Sequence, residues 1–192
     1  MNEKVRKLVT MAMLAALSIV LVYVIHFPIF PAASFLEYDP ADIPILIGTF
    51  AYGPLAGVLL TVVVSVIQGM TVSSGSGLMG IAMHIFATSI LVNIYRVKHT
   101  KKGAVLALIC GVLAMTAGMV VFNYFITPYF ITPDLADTAA VAANREVVKT
   151  LLVPVIVPFN LIKAGVNSVV TFLVYKTVSR HLVHGENWKK EP

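Results

Sequence analysis

Lys163 is the residue of this chain best placed to do chemistry. It follows a stretch without charge that begins at Thr150, and it precedes another that runs to Lys176. An ammonium this deep in an apolar segment is costly unless it finds partners or water. Asn160 lies three residues before it and Asn167 four after. In a helix these three share one face. They form a stripe of two amides and one ammonium, able to hydrogen-bond a polar ligand. The competing role is structural, with the lysine paired to a carboxylate or to helix-end carbonyls. No carboxylate falls within any apolar run, so a ligand is the expected partner.

Other candidates are weaker alone. Asn123, in Phe122-Asn123-Tyr124-Phe125, fits either a ligand contact or an interhelical hydrogen bond. Phe35-Leu36-Glu37-Tyr38-Asp39-Pro40 mixes aromatic and acidic residues, which suits an interfacial loop or the rim of a pocket. His26 and His84 lack metal-ligand spacing and are expected to pack. Gln68 is expected to make an interhelical bond. Ala12 and Ala16, four residues apart, would let another helix approach closely. No metal site is indicated, and the single cysteine, Cys110, excludes a disulfide within the chain. The Ser-Gly stretch at 73–77 is not a phosphate-binding loop, and no Walker lysine, paired catalytic carboxylates or nucleophile elbow occurs. The chain carries no sign of its own ATP hydrolysis, of an enzyme site, or of a cofactor of its own.

The elements that must position these residues are membrane helices. Of the 192 residues 58% are hydrophobic and only 12% charged, too little charge to coat a soluble globule. Uncharged runs predict helices at 8–26, 42–52, 54–71, 78–97, 103–126 and 150–180. The first is a retained helix rather than a signal peptide, because it lacks a clear cleavage site. Asp134 to Glu146 is a polar loop with room for a short helix. There is no internal repeat, and residues 1–192 form a single domain. The second helix is too short to cross a core of roughly 30 Å. A short span is tolerable only where protein or a watery cavity covers it.

Charge placement favours six spans over five. Lys4, Arg6 and Lys7, the Arg96–Lys102 cluster, and Lys176, Arg180, Lys189 and Lys190 all fall on the side of the N-terminus. The opposite loops hold Glu37, Asp39, Asp42, Asp134, Asp137 and Glu146, with Arg145 and Lys149. The positive-inside rule then puts both termini in the cytoplasm. The net charge of +5 serves topology and not nucleic acid.

Over residues 5–180 the chain resembles the substrate-binding S-components of energy-coupling-factor (ECF) vitamin transporters, most closely the riboflavin-specific ones. The matching blocks occur in the family's order. They are the Ala12/Ala16 helix, Leu36-Glu37-Tyr38-Asp39-Pro40-Ala41-Asp42-Ile43-Pro44, Tyr52-Gly53-Pro54-Leu55-Ala56-Gly57, Asn123-Tyr124-Phe125 and Pro158-Phe159-Asn160-Leu161-Ile162-Lys163. The Gly-Pro-x-x-Gly turn is shared across S-components. The last two blocks together are more specific for the riboflavin branch.

The resemblance implies an all-α, six-helix S-component fold in the cell membrane, with the ligand near the outer face. It implies Asn123, Asn160 and Lys163 as polar ligand contacts, and Leu36, Glu37, Tyr38 and Asp39 as the loop beside the ligand. Glu37 stands where uncharged residues are familiar. Riboflavin would be the transported ligand, and the absence of arginine among these candidates favours it over flavin mononucleotide. The implied partners are an energising module of a membrane coupling subunit and two ATPases, which spend the ATP; the Ala12/Ala16 face is the candidate surface on which this chain docks on that module. Two other classes compete: an S-component for thiamine or pantothenate, and an autonomous secondary transporter. The latter would carry an inverted repeat or a coupling-ion site, and the sequence shows neither. A membrane enzyme lacks an acid–base cluster, and a scaffold leaves Lys163 unexplained.

Overall fold

The structure is a computed structural model that describes residues 2–33, 36–72, 77–94 and 101–182. Phe35, residues 73–76, the basic residues Arg96 and Lys98, the expected end of the fourth helix, and Lys189 and Lys190 lie outside the described residues. The chain is almost wholly helical. Its helices are α1 (Glu3–Val24), α2 (Asp42–Tyr52), α3 (Pro54–Met70), α4 (Gly77–Asn93), α5 (Lys101–Phe130), α6 (Thr138–Leu151) and α7 (Val157–Leu182). Between α1 and α2 a minimal antiparallel hairpin pairs β1 (Phe27–Pro28) with β2 (Glu37–Tyr38), in the register Phe27↔Tyr38 and Pro28↔Glu37.

Six of the seven helices match the predicted segments, and the differences have local causes. Helix α1 begins earlier, at Glu3, because the Asn2 side chain accepts the Lys4 N–H at 3.1 Å and caps it. The expected polar loop after α5 contains α6, capped by Asp137, whose carboxylate accepts the Ala140 N–H at 2.9 Å. It continues into α7 through a π-helical turn, Leu152–Ile156. Pro154 sits in that turn. It has no N–H to give, and its ring would crowd the preceding turn, so the wider spacing relieves it.

Helices α1 and α5, and the continuous α6–α7 run, are long and apolar enough to span a bilayer, whereas α2, α3 and α4 are shorter apolar helices. Large side chains face outward along the bundle, among them Leu8, Val24, Leu55 and Leu173. A soluble protein rarely exposes so continuous an apolar surface, whereas lipid accepts it. Helix α2 sits inside the bundle, with Pro44 through Phe50 all buried. Its 11 residues therefore need not cross the membrane alone.

Gly53 separates α2 from α3 with φ +88°, a conformation suited to glycine. One turn on, a Cβ at Gly57 would collide with Thr49 Oγ1 and lie 3.1 Å from Val92 Cβ. Glycine there lets three helices meet. Gly57→Val is therefore expected to destabilise the bundle by about 1–3 kcal/mol through overpacking. Thermal unfolding in detergent checks this, and an unchanged midpoint would show that the neighbours give way freely.

Candidate functional site

The π turn sets the face that α7 turns inward. Asn160, Lys163, Ala164 and Asn167 are all buried. The hairpin loop dips into the bundle and meets them. Lys163 Nζ donates to Asp39 Oδ2 at 2.7 Å and to the Glu37 carbonyl at 3.3 Å. Gln68 Nε2 on α3 donates to the same Asp39 oxygen at 3.2 Å, and Asp39 Oδ1 accepts the Ala41 N–H at 3.1 Å. Asn167 Nδ2 donates to the Asp39 carbonyl at 3.1 Å and to Asp42 Oδ2 at 3.4 Å, while its Oδ1 accepts the Tyr38 hydroxyl at 3.1 Å. Thr88 on α4 donates to Asp42 Oδ1 at 2.7 Å.

The absence of a carboxylate from the apolar runs does not leave Lys163 unpaired, as the sequence suggests. Asp39 and Asp42 are only 2% and 0% exposed. Asp39 lies in the loop and Asp42 opens α2, and the inward fold of that loop brings both to α7. The charge on Lys163 is compensated, yet its ammonium has three N–H donors and protein acceptors take two.

Burial by itself would raise the Asp39 carboxyl, but the Lys163 ammonium, helped by His84, outweighs it and holds the group below the usual carboxylate range. Burial pushes the Tyr38 phenol up, and the neighbouring Asp39 adds to that. A depressed carboxylate stabilises the fold fully above its unfolded pKa, about 3.9, and loses that contribution as pH falls through the lower folded value. The stability difference between the native chain and Asp39→Asn should therefore stay constant from pH 8 to 5 and close only below about pH 4. Thermal unfolding across that range measures it, and a gap already closing near pH 6 would contradict the assignment.

Beside this cluster lies a cavity. Leu36, Glu37 and Asp39 of the loop line it, with Ser65 and Gln68 of α3, His84 of α4, Met115 and Met119 of α5, and Phe159, Asn160 and Lys163 of α7. Asn160 Nδ2 is held by the Ile156 carbonyl at 2.8 Å, which leaves its Oδ1 as an acceptor. Five of the sequence candidates thus meet at one cavity: Leu36, Glu37, Asp39, Asn160 and Lys163. Glu37 also bonds His26 Nε2 at 2.7 Å, tying the end of α1 to the hairpin.

Two other candidates stand back from the cavity. Tyr38 braces Asn167 and packs its ring on Phe27. Asn123 is fully buried; its Nδ2 donates to the Met119 carbonyl and its Oδ1 accepts the Thr127 hydroxyl, each at 2.8 Å. It braces α5 one turn from Met119. His84 and Ser65 were not singled out as cavity residues by the sequence. Gln68 makes the expected tertiary bond and lines the cavity as well. Ala12 and Ala16 are exposed on α1, away from this site.

A bundle of apolar helices around a largely apolar cavity with a few polar groups on its wall, closed on one side by a pinned loop, defines a membrane protein that holds a small molecule. Residues 6–175 match the family model of the ECF transporter substrate-specific component, and the chain belongs to that family. It is a transport subunit and not an enzyme. Its relatives include the riboflavin transporter FmnP of Bacillus subtilis (strain 168), 31% identical over 90% of this chain and 91% of that protein. The riboflavin transporter RibU of Staphylococcus aureus (strain TCH60) is 32% identical over 92% of each chain. A solved S component of a bacterial ECF transporter superposes with a TM-score of 0.74 at 26% identity, covering 98% of this chain and 99% of that one.

Proposed function

We propose that this chain is the riboflavin-binding S-component of a vitamin importer. The observation that carries the proposal is the pair Asn160 and Lys163 on one cavity wall. The polar edge of a flavin ring presents an N–H donor flanked by carbonyl acceptors. Asn160 Oδ1 is an acceptor and Lys163 Nζ keeps a spare donor. The two groups complement that edge. Leu36, Phe159, Met115 and Met119 supply apolar surface for the ring body. Glu37 and Asp39 serve as the loop that Lys163 pins beside the ligand. The names of the relatives support the same ligand.

Both termini face the cytoplasm in this proposal, and the hairpin faces outside, following the charge distribution. The vitamin enters from outside the cell membrane. An energising module of one membrane coupling subunit and two ATPases then drives its release inward. The exposed Ala12/Ala16 face of α1 is the docking surface for the coupling subunit.

Protein purified from a flavin-containing host is expected to carry a flavin absorption spectrum, and stripped protein to quench added riboflavin fluorescence. A colourless protein that leaves riboflavin fluorescence unchanged would overturn riboflavin as the ligand and send the search to other vitamins.

A further inference from the structure

The corner where α5 turns into α6 holds a cation that the cavity does not use. The apolar segment of α5 runs for 28 residues, Gly103–Phe130. At roughly 1.5 Å per residue that is about 42 Å, against roughly 30 Å of bilayer core. The Lys101-Lys102 pair marks its other boundary in the sequence, so the surplus emerges at the hairpin end, where Val148 of α6 packs with Leu36 of the loop. Tyr124 and Tyr129 fall in the emerging turns, at the depth of lipid headgroups. Phe125 and Tyr129, four residues apart, are 54% and 41% exposed, so this face of α5 meets lipid.

Arg145 of α6 lies over the two tyrosines. Its guanidinium carbon is 6.0 Å from the centre of the Tyr124 ring and 5.9 Å from that of Tyr129. Such rings hold a guanidinium in place, but they are not the oxygen acceptors that its N–H groups need. Its Nη2 makes one long bond, 3.5 Å, to the Tyr129 hydroxyl, and its Nε is buried with no hydrogen bond among the described residues. No carboxylate among the described residues pairs with it. Glu146, the next residue, takes a different helical angle and bonds Lys149 at 3.3 Å.

A buried donor is rarely left unpaired, so a fixed guanidinium without a counter-charge calls for an anion. Its planar fork matches two oxygens of a phosphate group. At headgroup depth the abundant anion of that shape is the phosphodiester of a phospholipid. The Tyr129 hydroxyl accepts from Arg145 and keeps its own proton to donate to the same group.

We infer that Arg145 and Tyr129 form a binding site for the phosphodiester of a phospholipid headgroup, at the corner where α5 and α6 leave the bilayer.

The test titrates delipidated protein in detergent with phosphatidylglycerol. Retained lipid is read by native mass spectrometry, and thermal unfolding gives a second reading. The native chain is expected to retain the lipid and to unfold at a higher temperature with it. Diacylglycerol, with the same tails and no phosphate, should do neither. Arg145→Gln is expected to weaken retention by about 10-fold or more. Arg145→Lys keeps the charge without the fork and should still lose at least about 3-fold, which also covers the case in which Arg145→Gln does not fold. Tyr129→Phe should lose about 3-fold. Equal retention by the native chain and the variants overturns the site, even if the variants unfold earlier, because Arg145 would then only brace α6 on α5. Equal retention of diacylglycerol overturns it too. If inorganic phosphate stabilises the protein as well as the lipid does, the site takes free anions and the lipid assignment falls.

Discussion

Replacing Lys163 by methionine is expected to weaken riboflavin binding by at least about 100-fold. Two losses combine. The donor proposed to face the ring edge disappears, and so does the tether that holds the loop through Asp39 and the Glu37 carbonyl. Truncating one partner of a buried, hydrogen-bonded charge pair typically costs about 2–5 kcal/mol, which is roughly 30- to 4,000-fold in affinity. Arginine should not restore binding. Its planar fork needs more room than a point-like ammonium, and both short contacts of Nζ come from one tight loop. Titration of stripped protein by flavin fluorescence measures the effect. A loss below about 5-fold would show that Lys163 serves the fold alone and that the ring edge is read elsewhere.

The sequence made the α7 side of the site legible. The spacing of Asn160, Lys163 and Asn167 specifies one helical face, and an ammonium in an apolar run announces a constraint. The short second helix was equally visible, along with the expectation that protein must cover it. The partners of Lys163 were hidden because they are 124 and 126 residues away. Asp39 sits among loop residues, where acidic side chains ordinarily face water, and nothing local marks the loop as turned inward. Helix α6 was half-visible. Its alanines and capping Asp137 favour a helix, but the charged Arg145, Glu146 and Lys149 set it apart from the apolar run that begins at Thr150 and so disguised its continuity with α7. Asn123 was legible as a polar residue in an apolar helix, and what the sequence does not give is that one amide N–H and its oxygen bond within its own helix. His84 and Gln68 gave no signal alone, because their significance depends on which residues the fold brings to them.

The ion pair also sets the stability of the hairpin end of the bundle. Asp39→Ala is expected to destabilise the protein by about 3–5 kcal/mol, because it leaves the Lys163 ammonium buried without its counter-charge. The carboxylate also holds the Ala41 N–H and Gln68, so the loop loses three ties in one step. Lys163→Met strands the Asp39 carboxylate in the same way. The double variant Lys163→Met/Asp39→Ala strands neither charge. It should be more stable than either single variant, although its riboflavin binding stays lost. Reversible unfolding in detergent on this four-member cycle isolates the coupling between the two residues. Additive destabilisation would mean that the two charges are separately solvated and that the 2.7 Å contact contributes little. Recovery of stability without recovery of binding would separate the two functions of Lys163. Asp39 supplies the charge balance that lets a lysine exist at this depth, and in the proposed binding mode the vitamin uses the donor that the balance leaves over.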